Sequence, residues 1–221
     1  IIAGTSAGAI VGGLYAFGKS PNEILDFFKS VYFFNWKHFT LTKPGFINSD
    51  IFRLYLKPII GEIKIKDLKK ELIINATDLI QGETFVFSGD DYLLDAIIAS
   101  CSVPGLASPF KKDELLLSDG GILNNFPTNL IKEKCDKIIG IYVCPLQDVK
   151  KNQLNSIKSV ATRAYELLSH SVENYKFRDC DWLISPKELS NYGMFESKKT
   201  RMDELFQLGF SEAEKTFPKD F

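Results

Sequence analysis

Two patterns capable of chemistry overlap within the first twenty residues. Gly4-Thr5-Ser6-Ala7-Gly8 fits GxSxG, the turn that lifts a serine hydroxyl out of a strand-to-helix junction so that it can attack a carbonyl. Gly13-Leu14-Tyr15-Ala16-Phe17-Gly18-Lys19-Ser20 fits GxxxxGK[ST], whose backbone amides wrap phosphates. They exclude one another, because the helix required after Ser6 occupies the loop required before Lys19. A phosphate loop needs small residues and a helix that starts at its Gly-Lys. Here the loop would hold Leu14, Tyr15 and Phe17, and the clear helix cap lies later, at Ser20-Pro21. Leu115 to Asp119 passes for the carboxylate-bearing strand such a site also needs, so a P-loop nucleotide hydrolase over Gly13 to Ser20 stays open as an alternative. The elbow meets its own demands better. Gly4 and Gly8 are the tiny flanking residues of a strained turn, and Ile1-Ile2-Ala3 reads as the end of a buried strand. Ala7, Gly12 and Gly13 would let the following helix pack close to a sheet. The same five residues also suit an uneventful turn at a helix start.

A serine hydroxyl needs a base within hydrogen-bond reach. The chain has two histidines, His38 and His170. His170 falls inside a long helical stretch beside Leu167, Leu168 and Val172, whereas a triad histidine sits on a loop after a strand. His38 precedes every candidate aspartate in a segment crowded with aromatic rings. A carboxylate base remains, and Asp119 is the best placed. It ends the apolar run Leu115 to Leu117 and is followed by Gly120-Gly121, which permit a tight turn. A free Asp titrates near 3.9, about three units below neutrality, so base work there requires partial desolvation. Asp78 also ends a strand, with no comparable turn behind it.

The elements that must position these residues alternate between helical and strand periods, the pattern of an α/β domain with a mostly parallel sheet and helices on both faces. Helices are expected at Ala7 to Phe17, after the Ser20-Pro21-Asn22-Glu23 capping box, from about Asp50 to Leu56 before Pro58, at Leu93 to Cys101, at Thr128 to Lys134, at Leu154 to Phe177, and, capped, from Thr200. Strands are expected at Leu72 to Thr77, Thr84 to Phe87, Leu115 to Leu117, Ile138 to Val143 and Trp182 to Ile184, with a loop enforced by Pro104, Gly105 and Pro109. No repeat or low-complexity linker divides the 221 residues, so a single domain is the simplest account.

Composition narrows the function classes. With 45% apolar and 25% charged residues and a net charge of −1, the chain is an ordinary globular protein without the basic surface that grips nucleic acid. Cys101, Cys135, Cys144 and Cys180 lack CxxC spacing and read as reduced, mostly buried thiols rather than a disulfide framework or metal site. The uncharged opening run carries too many glycines for a good membrane span.

The pair Gly4-Thr5-Ser6-Ala7-Gly8 and Asp119-Gly120-Gly121 resembles the Ser–Asp dyad of patatin-like phospholipases. Ala76-Thr77-Asp78-Leu79 with Gly82-Glu83, Ala99-Ser100 with Pro104-Gly105 and Pro109, and Asn125-Phe126-Pro127 agree in order, so the likeness covers residues 1 to about 145. It implies a three-layer α/β fold, Ser6 as nucleophile, Asp119 as general base, no metal, no cofactor and no catalytic histidine. It further implies lipid or phospholipid ester substrates; a cytoplasmic location, with peripheral contact at the membrane, is a separate expectation. The family's glycine-rich oxyanion loop lies upstream of the elbow, before Ile1, so the chain is read as a patatin-like domain lacking that strand and loop. A catalytically inactive fragment that binds lipid or a partner is the third reading. Tyr32, Phe33, Phe34, Trp36, Phe39 and Phe46 read either as core or as rings lining an acyl pocket. Acyl chain, headgroup and oligomeric state are not legible.

Overall fold

The computed structural model describes residues 1–31, 50–104, 106–146, 148–193, 196–219 and 221. The aromatic connection with Trp36 and His38 lies outside them. The chain divides into two compact units, Ile1–Glu133 and Lys134–Phe221.

The first unit runs β1 (Ile2–Gly4), α1 (Ala7–Phe17), α2 (Pro21–Ser30), α3 (Asp50–Ile60), β2 (Leu72–Asp78), β3 (Glu83–Phe87), α4 (Leu93–Ser100), β4 (Phe110–Lys112) and β5 (Leu115–Asp119). Gly18 ends α1 at φ 113°, and Ser20 and Glu23 form the expected reciprocal cap of α2. Because α1 is helical from Ala7 through Phe17, the Gly13 to Phe17 stretch is no loop. That removes the fold a phosphate-binding reading requires.

The α/β class holds, but the sheet is mixed rather than mostly parallel. β1 pairs with β2 in parallel, while β2–β3, β2–β5 and β4–β5 are antiparallel. The connections dictate this. β2 and β3 are joined by a short turn at Gly82 (φ 70°), and β4 and β5 by one at Asp113 (φ 52°). Connections that short make hairpins, since a parallel crossover needs a dozen residues or more.

The register sets up the site. Ile74 pairs with both Gly4 and Phe87, and Ala76 with both Phe85 and Asp119. A strand residue has one partner on each side, so β3 takes one edge of β2 while β1 and β5 share the other. β1 runs parallel to β2 and β5 antiparallel, so their C-terminal ends meet, with Asn75 between them. Leu72, Ile74 and Ala76 join Leu14 of α1, Leu93 and Ile97 of α4 and Leu117 of β5 in the core. A Cβ on Gly12 would stand 3.1 Å from Ile2 Cγ2, and one on Gly13 3.0 Å from Ile97 Cδ1, so these glycines do let α1 lie close against its neighbours. Ala7, by contrast, is exposed.

The second unit holds β6 (Ile139–Ile141), α5 (Ile157–Glu173), β7 (Trp182–Ile184) and α6 (Lys199–Thr216), with β6 and β7 paired in parallel.

Several expected elements differ. α3 continues through Pro58 to Ile60, where burial of Ile60 against the core outweighs the hydrogen bond that proline forgoes. β4 was hidden by its lysines, which suit an edge strand. Thr128 to Lys134 forms two short 3-10 turns, and the strand at 139–141 is shorter than its apolar run. α5 gives way to a 3-10 segment at Asn174–Asp179. Lys198, not a capping side chain, precedes α6. Of the four thiols only Cys101 is buried.

Candidate active site

Ser6 closes the step from β1 into α1 with φ 53° and ψ −120°, a conformation that costs a non-glycine residue on the order of 1–3 kcal/mol. The turn is so tight that a Cβ on Gly4 would lie 2.4 Å from the Gly8 carbonyl oxygen, which no side chain tolerates. Gly8 is a different case: beyond its chain neighbours and the backbone of its own helix, none of the described residues comes within 4 Å of where its Cβ would be. Crowding therefore explains the first motif glycine and not the second.

The strained peptide is held on both sides. The Ser6 N–H donates to Ser100 Oγ at 2.8 Å. The Ser6 carbonyl accepts from the Ala9 N–H at 2.9 Å and from the Cys101 thiol at 3.2 Å. Ser100 and Cys101, at the end of α4, are both buried. Burial, and then the nearby Asp119 charge, push the Cys101 thiol well above its ordinary range, so it stays protonated and acts as a donor.

Asp119 is 3% exposed. Its Oδ2 accepts from Ser6 Oγ at 2.6 Å and its Oδ1 from the Gly121 N–H at 2.7 Å. Its N–H donates to the Ser102 carbonyl at 2.9 Å and its carbonyl accepts from Thr77 Oγ1 at 3.0 Å. Burial raises the carboxyl from its ordinary 3.8 to about 6, against the lowering influence of the Ser6 and Gly121 hydrogen bonds. The Gly120-Gly121 turn has two functions. A Cβ on Gly120 would meet Asn75 Nδ2 and the Asn75 carbonyl oxygen, each at 2.5 Å, and the Gly121 amide supplies the hydrogen bond that aims the carboxylate.

Ser6 and Asp119, 113 positions apart in sequence, are thus in direct contact. His170 lies in α5, in the other unit, with Nδ1 3.2 Å from the Tyr142 hydroxyl. Among the described residues no three His, Cys, Asp or Glu side chains form a group able to hold a metal ion. Sequence reasoning missed the roles of Asn75, Ser100, Cys101 and Asn124, all buried and all hydrogen-bonded around the elbow. A signal was present in Asn75, a polar residue inside the otherwise apolar run Leu72 to Ala76, because a buried amide in a strand must find partners.

A serine hydroxyl at a strained strand-to-helix turn, hydrogen-bonded to a carboxylate with a raised pKa, is the apparatus of a nucleophile and its base. Residues 1–131 match the patatin-like phospholipases, and the chain belongs to that family. That match falls within the first compact unit. Similar proteins include an uncharacterized NTE family protein of Mycobacterium bovis, 33% identical over 130 residues, which make up 57% of this chain and 35% of that protein. Lysophospholipase NTE1 of Scheffersomyces stipitis is 33% identical over 147 residues, covering 63% of this chain and 9% of the yeast protein. Lysophospholipase NTE1 of Candida albicans is 32% identical over 157 residues, covering 67% and 11%. The chain therefore spans about a third of the length of the mycobacterial relative and about a tenth of the yeast ones.

Proposed function

We propose that this protein is a lipid acyl hydrolase in which Ser6 is the nucleophile and Asp119 the general base. The observation that carries the reading is the 2.6 Å hydrogen bond from Ser6 Oγ to a buried carboxylate whose pKa lies near 6. Ser6 Oγ attacks the ester carbonyl carbon while its proton passes to Asp119 Oδ2. The tetrahedral adduct collapses, the proton moves from Asp119 to the departing alcohol oxygen, and the acyl group remains on Ser6. Water then enters, gives a proton to Asp119 and attacks the acyl carbon. Return of that proton to Ser6 Oγ releases the fatty acid.

A base with a pKa near 6 is ionised at neutral pH yet binds a proton far better than an ordinary Asp, the compromise general-base work favours. The developing oxyanion requires aimed donors, each typically worth a few kcal/mol of barrier. The Ser6 N–H is committed to Ser100, but among the described residues no acceptor engages the Ala7 N–H, the first amide of α1. Among the described residues that amide is the candidate donor to the oxyanion. The family and relatives named lysophospholipases support ester substrates of the lipid class, and with them the proposal that the protein works at a lipid surface. No helix among the described residues is long and apolar enough to cross a membrane.

The test is hydrolysis of lysophospholipid and diacyl phospholipid esters by the complete gene product, beside its Ser6→Ala variant. Fatty-acid release that disappears with Ser6→Ala supports the reading. Release that persists in a folded Ser6→Ala protein contradicts it.

A further inference from the structure

The approach of Ser6 to Asp119 has to be maintained across a gap in the sheet. β1 stops at Gly4 opposite Ile74, and β5 stops at Asp119 opposite Ala76. No ladder hydrogen bond joins β1 to β5, because they lie end to end along one edge of β2. Something else must fix the spacing, since a hydrogen-bonded pair loosened by an ångström loses much of its catalytic value.

The one residue of β2 between those two pairings is Asn75, and it is fully buried. Its Oδ1 accepts from Thr5 Oγ1 at 2.6 Å, and its Nδ2 donates to the Asn124 carbonyl at 2.9 Å and to the Gly120 carbonyl at 3.4 Å. The Thr5 hydroxyl, also buried, shares its proton with the Asn124 carbonyl at 3.0 Å. Thr5 immediately precedes Ser6, and Gly120 immediately follows Asp119. Gly120 presses directly on the Asn75 backbone, where its absent Cβ would collide. One amide side chain is therefore bonded to the neighbour of each candidate catalytic residue.

We propose that Asn75 and Thr5 are positioning residues that set the Ser6–Asp119 distance, acting as a clasp across the junction of β1 and β5. The inference rests on the dyad reading and goes beyond it by assigning work to residues that touch neither Ser6 Oγ nor the Asp119 carboxylate. An ordinary core amide would have served with partners anywhere. These partners are confined to the two segments that carry the dyad. The clasp also keeps Asp119 dry, because it anchors the turn that closes over the carboxylate.

Thr5 offers a clean pair of substitutions. Thr5→Val keeps the shape and removes the hydroxyl, whereas Thr5→Ser keeps the hydroxyl and removes a methyl. Asn75→Asp keeps the outline of the amide but loses the Nδ2 donor. The complete gene product and each variant would be followed by second-order labelling with a fluorophosphonate and by NMR titration of the Asp119 carboxyl, with melting temperature recorded in parallel. The expected result is labelling at least tenfold slower in Thr5→Val and Asn75→Asp, recovered to within threefold of the parent in Thr5→Ser. The titration midpoint should fall from about 6 toward the ordinary carboxylate range in Thr5→Val, which adds no charge, as water reaches the loosened turn. Ile98→Val, a buried α4 substitution outside the clasp, should lower the melting temperature and leave both readouts at parental values. Parental labelling and titration in Thr5→Val would overturn the clasp, as would equal losses in Thr5→Val and Thr5→Ser. Failure of the dyad reading looks different: the label would attach elsewhere than Ser6, while the titration would still report whether the clasp controls Asp119.

Discussion

Replacing Asp119 by Asn should make the protein more stable at neutral pH while removing its activity. The carboxyl is 3% exposed, and burial carries it from 3.8 to about 6. Its folded pKa is therefore raised, so the folded state holds its proton more tightly than the unfolded chain does. Stability attributable to this group is greatest below about pH 3.8, declines as pH rises to about 6, and stays at its reduced level above that. A displacement of that size corresponds to about 3 kcal/mol, the cost of keeping a charge in a dry site. Asn fills the same space without the charge. Its Oδ1 still accepts from the Gly121 N–H, and its Nδ2 can donate to Ser6 Oγ. The variant should thus gain up to about 3 kcal/mol at pH 8, a rise of roughly 6–12 °C in melting temperature for a chain of this size. The gain should shrink to near zero by pH 4. Thermal and urea melts of both proteins, followed by circular dichroism at whole-unit steps from pH 4 to 8, measure it. A difference that does not vary with pH, or a variant less stable than the parent at pH 8, would refute the claim that Asp119 is a buried charge with a raised pKa.

The same carboxyl must be ionised to act as a base, so kcat/KM for ester hydrolysis should rise with pH through about 6 and level off above it; an acid limb near 4 would contradict the burial argument. Ser6→Ala, Asp119→Asn and the double variant should all fall to a similar residual rate, about 10³-fold or more below the parent, because the pair acts as one unit. His170→Ala should stay within a few-fold of the parent in the same assay, and its loss of activity would favour a triad. Gly4→Ala should abolish activity and lower the melting temperature sharply, since its Cβ meets the Gly8 carbonyl at 2.4 Å, whereas Gly8→Ala should fold normally; equal effects would show that the elbow is not as tight as described.

The parts of this fold that were legible from sequence are those where one local signal decides the outcome. The Ser20 box opens α2 and Gly18 closes α1, whereas the phosphate loop stayed open until the structure showed one continuous helix through Gly13 to Phe17. The pairing of the strands was not legible in the same way. Alternation predicts a strand but not its partner, and the hairpin turns at Gly82 and Asp113 had to be weighed against the general preference of α/β chains for parallel crossovers. Ser6 and Asp119 stood out because each sits where a strand ends in a glycine turn. Asn75, Ser100 and Cys101 did not, because their importance comes from meeting the elbow across 70 to 95 positions of chain, a relation only the folded register supplies.

The most direct test of the dyad is the site and rate of fluorophosphonate attachment to the complete gene product, mapped by peptide mass spectrometry. The adduct should form on Ser6, at a rate that increases as pH passes through about 6, and Asp119→Asn should slow it at least a hundredfold without unfolding the protein. An adduct on any other residue, or one on Ser6 that forms equally fast in Asp119→Asn, would contradict the assignment of these two residues as nucleophile and base.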